Sequence, residues 1–465
     1  MIARLAAFLY LCVLWMASQL MAGQVKAPLA LSGAETQVAL VVDVASGDTL
    51  YCFHESQRVT PASLTKLFTT VAAMDLLGGD YRFETKCFLD KDKKQLVIKG
   101  GGDPSLSSSF FDSQRCDCFI SLIVEKLKTS GVDALPGRIV IDLSFFGNVA
   151  TPSARLWEDM ANYYGATPSS LTVGDNTFRL YLDSPSKVGG LCTITSMEPV
   201  WGALPRSQVV ASAGTADSAY IYGVAGCDNW YVSGSIPAGR KGFVVKGALP
   251  EPHRWFGQQL VAALNRAGIE ADGFHPCYNP VAVAGDPLVV FPSPPLNQLC
   301  RVVNKQSQNL YADHLFLSLG RSAGKPHWDG GAEVLKRYCR DSVGVETLTV
   351  YDGSGLSPFN SFSAADVVAL LRHAARRPFF DAFYGSLPIS GVDGTIRNLW
   401  RDDFSKGRIH AKSGSMNGVL GYAGYIQAAD NRLLAFCIVV NHHTEKSNTV
   451  RSAIEQWVRQ FLVGL

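Results

Sequence analysis

A mixed α/β (α+β) fold, with a sheet and helices interrupted by a large β-rich insertion, is predicted by three observations. Strand-like residues from Val38 to Phe53 lead into an apolar-periodic helix. A second strand-rich stretch, Arg408 to Asn441, ends in an amphipathic helix. Between about Tyr81 and Asp286 the texture changes to short strands separated by Gly/Pro/Ser-rich turns.

Taken in order, Val38 to Val44 and Thr49 to Phe53 flank the turn residues Ser46-Gly47-Asp48, which reads as a hairpin. Leu64, Leu67, Phe68, Val71, Ala72, Met74 and Leu76 then recur at helical spacing, with Pro61 before the run and Gly78-Gly79 after it. In the middle, Gln95 to Lys99, Arg138 to Leu143 and Thr177 to Leu182 are expected strands. Phe119 to Lys128 and Trp255 to Ala267 are expected helices. Helices follow at Gln308 to Leu319 and Ala364 to Arg372. Three strands come next, Arg408 to Lys412, Gly421 to Gln427 and Leu433 to Asn441, the last two joined by a hairpin at Asp430-Asn431. The final helix gathers Val450, Ile454, Trp457, Val458 and Phe461 on one stripe. Such a stripe suits a membrane surface or a sheet, and the sheet is the expectation.

The 465 residues are 47% hydrophobic and 18% charged, the profile of a folded globular chain long enough for more than one core. With 42 Lys+Arg against 40 Asp+Glu and no run of like charge, nothing marks a nucleic-acid partner. The front carries an address: Met1 to Arg4 supply one positive charge, Leu5 to Met16 are apolar, and small or polar residues follow at Ala22, Gly23 and Gln24. Residues 1–23 are therefore expected to be a secretory signal peptide cleaved near Gly23. Export permits disulfides, but the scattered cysteines define no pairing. The close pair Cys116 and Cys118 lacks the further ligands of a zinc site, and His442-His443 lacks a carboxylate or cysteine at ligand spacing. No metal or cofactor is expected.

The chemistry centres on Ser63-Leu64-Thr65-Lys66. A hydroxyl and an amine three residues apart on the first turn of a helix share a face, and a lysine kept neutral by burial can take the serine proton. The same pattern at Ser184 to Lys187 and Ser322 to Lys325 opens no apolar-periodic helix. Ser307-Gln308-Asn309 supplies an SxN triplet ahead of a helix, and Lys412-Ser413-Gly414 is the only K-[ST]-G, at the end of a strand-like run. SxxK, SxN and KSG stand in the order that penicillin-recognising serine acyltransferases require. Ser415-Met416-Asn417, another SxN, is read as a continuation of the KSG strand.

On these motifs the chain resembles the class C low-molecular-mass penicillin-binding proteins, the D-alanyl-D-alanine carboxypeptidase/endopeptidase family, from about Val38 to the C-terminus. Gly100-Gly101-Gly102-Asp103-Pro104-Ser105-Leu106, Trp157-Glu158-Asp159-Met160, Asp352-Gly353-Ser354-Gly355-Leu356-Ser357 and Gly394-Thr395 look like family signatures in the family's order. So does the separation of 244 residues between Ser63 and Ser307. Ser413 departs from the family's usual Thr, but either hydroxyl makes the same hydrogen bond.

The resemblance implies a penicillin-binding, transpeptidase-like (serine β-lactamase-like) catalytic domain with an antiparallel sheet, split into residues 28–80 and 286–465. The insertion, 81–285, is expected to form two smaller domains, the nested one near 185–243. It implies a periplasmic serine D,D-peptidase of peptidoglycan, acting on stem peptides and cross-links and acylated by β-lactams. Ser63 would attack, Lys66 would take its proton, and Ser307 and Asn309 would relay protons and position the amide. Lys412, Ser413 and Gly414 would receive the terminal carboxylate, with the N–H groups of Ser63 and Ser415 as the oxyanion hole. Asp159 resembles the carboxylate that reads the stem peptide's free amino group, with Met416 beside it; an ordinary exposed acid is the plainer reading. Peripheral membrane or wall association completes the expected partners. A β-lactamase or esterase on the same scaffold, or a β-lactam sensor without turnover, are the alternatives.

Two further motifs are set aside. Gly320-Arg321-Ser322-Ala323-Gly324 fits the esterase nucleophile elbow, but a helix precedes it where a strand is required. Gly353-Ser354-Gly355 is read as a turn, with Pro358 where a dinucleotide loop needs glycine.

Overall fold

Alternating side chains of Thr36–Asp43 bury on opposite faces of one sheet: Val38, Leu40 and Val42 join a large helical core, while Ala39 and Val41 join a second core under the last helix. The computed structural model describes residues 27–90, 94–112, 115–149, 151–227 and 229–463; the expected leader lies outside the described residues. The sheet is antiparallel throughout. Its order is Ile409–Met416, Val419–Gln427, Leu433–Asn441, Thr36–Asp43 and Thr49–Phe53, so both ends of the chain build it. Helix Ser447–Arg459 lays Val450, Ile454, Trp457 and Val458 on one face against Leu420, Phe436 and Ile438. That contact takes up the apolar stripe of this helix, as the sheet reading requires, and leaves none for a membrane surface. No helix among the described residues is long and apolar enough to cross a membrane. The opposite face is covered by Thr65–Leu76, Leu296–Lys305, Asn309–Ser322, Trp328–Tyr338 and Ala364–Ala374.

Both expected hairpins form, with Gly47 and Asn431 in the left-handed region at φ 85° and 67°. The strand holding Lys412-Ser413-Gly414 corrects the expectation: it runs on to Met416, placing the motif inside the strand and not at its end. Gly414 and Ser415 are poor strand formers in isolation, and pairing with Gly421 and Leu420 carries the strand through them. Ser415-Met416 does continue the strand, and Asn417-Gly418 turns it back.

A second five-stranded sheet, ordered Phe274–Cys277, Ile139–Asp142, Gln95–Lys99, Glu84–Asp90 and Val289–Pro292, mixes parallel and antiparallel pairs. Helices Cys116–Thr129 and Pro252–Arg266 pack on it through Phe119, Ile123, Phe256 and Leu260. Its edge strand lies beyond the break expected at Asp286, because Val289–Pro292 finds its partner in Glu84–Asp90. The nested unit is also wider than 185–243. Strands Thr177–Asp183 and Phe243–Ala248 pair with each other and share one core with Val209, Ile221, Val232 and Ile236, which holds them in the same body.

The helix Asn309–Ser322, buried in the helical core, makes contact with the second sheet's body. His314, fully buried, bridges Thr172 Oγ1 and the Gly102 carbonyl, each at 2.9 Å. A ring that donates from Nδ1 to a carbonyl and accepts at Nε2 from a hydroxyl is neutral, and burial pushes its pKa down to about 3.

Candidate active site

Ser63 sits in a single 3-10 turn, Ala62–Leu64, that feeds directly into helix Thr65–Leu76. The turn is held tightly. Ala62 has φ 48°, and a Cβ on Gly355 (φ 78°) would stand 1.9 Å from the Ala62 carbonyl oxygen, so only glycine fits there. On the other side Gly414 is pressed against the turn, where a Cβ would lie 2.5 Å from the Pro61 carbonyl oxygen. The loop from Asp352 and the KSG strand thus clamp the Ser63 turn between them.

One turn on, Lys66 is 0% exposed, with Nζ 2.8 Å from Ser63 Oγ and 2.7 Å from Asn309 Oδ1; its third neighbour is the Ser354 carbonyl. Two of these oxygens accept only. A neutral amine that donates to both has its lone pair left for the Ser63 hydroxyl. Burial is the main cause that brings the Lys66 pKa down to about 7; Asp313 and Asp352 pull it up, and Arg155 pushes it down. Asn309 is fixed in its turn, since its Nδ2 donates to the Tyr164 carbonyl at 2.8 Å.

Ser307, in the left-handed region at φ 55°, places Oγ 2.8 Å from Lys412 Nζ, which also donates to the Ser413 carbonyl at 2.7 Å. Lys412 is fully buried, and burial, then the neighbouring Lys66, holds its pKa well below the usual lysine value. Ser413 Oγ donates to Thr395 Oγ1 at 2.8 Å. The strand is the outer one of its sheet, and the Ala411 N–H leaves the sheet to reach the Pro388 carbonyl. Alternation then turns the N–H groups of Ser413 and Ser415 outward as well.

The structure therefore brings Ser63, Lys66, Ser307, Asn309, Lys412, Ser413 and Gly414 into one cluster, with Ser415 exposed on the adjoining strand. Asp159, on the short helix Trp157–Met160, is half-buried and accepts a hydrogen bond from the Tyr164 hydroxyl; burial raises its pKa. It is tied to the cluster through Tyr164, whose carbonyl holds Asn309. Met416 is half-buried against the helical core at the end of the KSG strand. Ser322, of the esterase motif, ends a helix with Oγ donating to the Leu319 carbonyl, and Gly324 follows at φ 75°. Gly324 ends the helix, while Gly320 lies buried within it.

Residues 21–461 match the D-Ala-D-Ala carboxypeptidase 3 (S13) family. The chain belongs to that family. It is 30% identical over 443 residues to a D-alanyl-D-alanine carboxypeptidase from Actinomadura sp. (strain R39), covering 89% of this chain and 79% of that protein. The D-alanyl-D-alanine carboxypeptidase DacB of Haemophilus influenzae is 26% identical over 424 residues, 88% of this chain and 86% of that one. In fold, it is similar to the crystal structure of penicillin binding protein 4 (dacB) from Haemophilus influenzae, with a TM-score of 0.79 and 23% identity over 93% of this chain and 96% of that one. As an S13 peptidase this chain is a serine hydrolase, a D,D-peptidase acting on D-alanyl-D-alanine peptides of peptidoglycan.

Sequence reasoning missed several members of this S13 site: Arg155, Asp313, Tyr164 and the Ser354 carbonyl. Asp313 left a signal, since it stands four residues after Asn309 and so on the same helix face. Arg155 left none, because nothing in its surroundings in the chain marks a buried guanidinium.

Proposed function

We propose that Ser63 is the nucleophile and neutral Lys66 its base. As Ser63 Oγ attacks the carbonyl carbon of the penultimate D-alanine, its proton passes to Lys66 Nζ. The N–H groups of Ser63 and Ser415 receive the developing oxyanion. Collapse returns the carbonyl and breaks the C–N bond. The departing D-alanine nitrogen takes a proton through Ser307, leaving an ester on Ser63, and water then hydrolyses that ester to release the shortened peptide and free Ser63. The observation that carries this reading is the buried Lys66 amine, 2.8 Å from Ser63 Oγ with both other neighbours acceptors.

Lys412 and the Ser413 hydroxyl receive the terminal carboxylate, beside Gly414. Burial holds the Lys412 pKa low and an anion beside it pulls the pKa back up, so carboxylate binding and proton uptake are linked. Asp159 and Met416 line the subsite for the residue before the scissile bond, with Asp159 meeting a free ammonium group. β-Lactams acylate the same Ser63. Support comes from a solved relative, penicillin binding protein 4 of Haemophilus influenzae complexed with a β-lactam, which shares this fold at a TM-score of 0.73. Export to the periplasm, with cleavage near Gly23, belongs to the same proposal and is checked by sequencing the N-terminus of the secreted chain.

The test is to give the purified chain a stem pentapeptide and a cross-linked dimer and to measure D-alanine release and monomer formation. Wild type should turn over at least one and Ser63→Ala neither. Turnover by folded Ser63→Ala overturns the proposal. For Asp159→Asn, turnover of the free-amine pentapeptide should fall toward that of its N-acetylated form, on which wild type and variant agree. Equal loss on both substrates contradicts the ammonium role.

A further inference from the structure

Arg155 belongs to the insertion, yet its side chain is 0% exposed and is held between two carboxylates of the catalytic part, Asp313 at 2.8 Å and Asp352 at 3.2 Å, themselves 0% exposed. Asp313 lies on the helix that begins with Asn309, and its Oδ1 accepts from the Gly353 N–H at 3.0 Å. Asp352 accepts from the N–H groups of Gly355 and Ser357 and from Asn360 Nδ2 at 2.8–2.9 Å, and so shapes the loop that delivers the Ser354 carbonyl to Lys66.

The charges do not balance. Two carboxylates face one guanidinium, and an uncompensated buried charge is costly. The charged groups bearing on Lys66 are Asp313, Asp352 and Arg155; Lys412, across the site, is held low in pKa by burial and by Lys66 itself. Burial raises the Asp313 pKa to about 6, so above that pH both carboxylates are charged and the four groups sum to zero only when Lys66 carries a proton, the state it enters as it takes one from Ser63. We propose that Arg155, Asp313 and Asp352 form a prebuilt counter-charge for the ammonium that develops on Lys66 during acylation, with Arg155 as the insertion's contribution to the catalytic centre. This rests on Lys66 being the base. The three are positioning residues, since none touches the reacting atoms; they act through Lys66 and through the Ser354 loop. The insertion is then part of the catalytic centre and not an appended module.

Two single variants move Lys66 in opposite directions. Asp313→Asn removes a negative charge. It is the gentler carboxylate change, because Asp313 accepts from two donors, Arg155 and Gly353, where Asp352 accepts from four. Arg155→Met removes the positive charge. Arg155→Met/Asp313→Asn restores the original net charge beside Lys66. The readout is the rate of acylation of the full chain by a fluorescent penicillin as a function of pH, with melting temperature as the check on folding. The acid limb should move down by about one pH unit in Asp313→Asn, up by a similar amount in Arg155→Met, and return toward wild type in the double variant. A purely structural role would not restore the limb in the more heavily altered protein. If one single variant does not fold, the other carries the test with its own sign. An unmoved limb in a folded single variant, or a double variant displaced further than either single, overturns the proposal. Absence of acylation in wild type overturns the reading beneath it instead.

Discussion

The side-chain amide of Asn309 donates to the Tyr164 carbonyl at 2.8 Å while its oxygen accepts from Lys66 at 2.7 Å. The first bond fixes which way the amide faces, and so decides that Lys66 meets an acceptor. A residue of the insertion thereby helps leave the lysine lone pair for Ser63. Replacing Asn309 by Asp puts a negative charge beside the amine, and an adjacent opposite charge favours the protonated form. With Lys66 as the proposed base, acylation needs it neutral, so in wild type the rate should fall as pH drops through about 7. In Asn309→Asp that limb should rise by about one unit or more, costing roughly fivefold or more in rate at pH 7. Stopped-flow acylation across pH 5–9 (roughly the span in which lysine with a lowered pKa titrates) checks it; an unchanged limb would contradict the role given to Asn309.

Acid stability has a separate origin in His314. Its folded pKa of about 3 lies below the unfolded value of about 6.5, so between those values the unfolded chain binds the extra proton. The sign follows: His314 contributes stability that is present above pH 6.5 and is lost as pH falls toward 3, on the order of a few kcal/mol in full. His314→Gln should start less stable at pH 7 and lose less on acidification. Parallel denaturant curves at pH 7 and 4.5 (roughly the middle of the histidine window) measure this, and an equal loss in both proteins would rule it out.

The Ser413 hydroxyl is steered by Thr395, 2.8 Å away. Serine lacks the methyl that stiffens threonine about χ1, so an outside partner is needed to aim it. Thr395→Val should raise KM for pentapeptide roughly three- to tenfold, the worth of one ordinary hydrogen bond, with kcat nearly unchanged. Adding Ser413→Thr should recover much of the loss. A fall in kcat without a change in KM, or no rescue, would show that the pair does not serve carboxylate binding.

How much of this was legible in the sequence depended on whether the signal was local. Ser63 and Lys66 announce themselves by helical spacing, and Val38 to Val42 by their own alternation, because one element contains the whole pattern. The parallel pairing of Ile139–Asp142 with Gln95–Lys99 and Phe274–Cys277 was not visible, since partners far apart in the chain leave no turn between them to read. The same holds for Arg155: its two carboxylates lie 158 and 197 residues away and are joined to it only by the docking of the insertion. The KSG strand failed for a different reason, as Gly414 and Ser415 take their conformation from a neighbouring strand and not from their own propensity.

The central claim is that Ser63, activated by Lys66, forms the acyl-enzyme. Mass spectrometry of the purified chain after exposure to a labelled penicillin tests it most directly. The account predicts one adduct, on the proteolytic peptide carrying Ser63, lost in a folded Ser63→Ala variant. An adduct that persists in that variant, or sits on Ser322, or is absent from folded wild type, would contradict it.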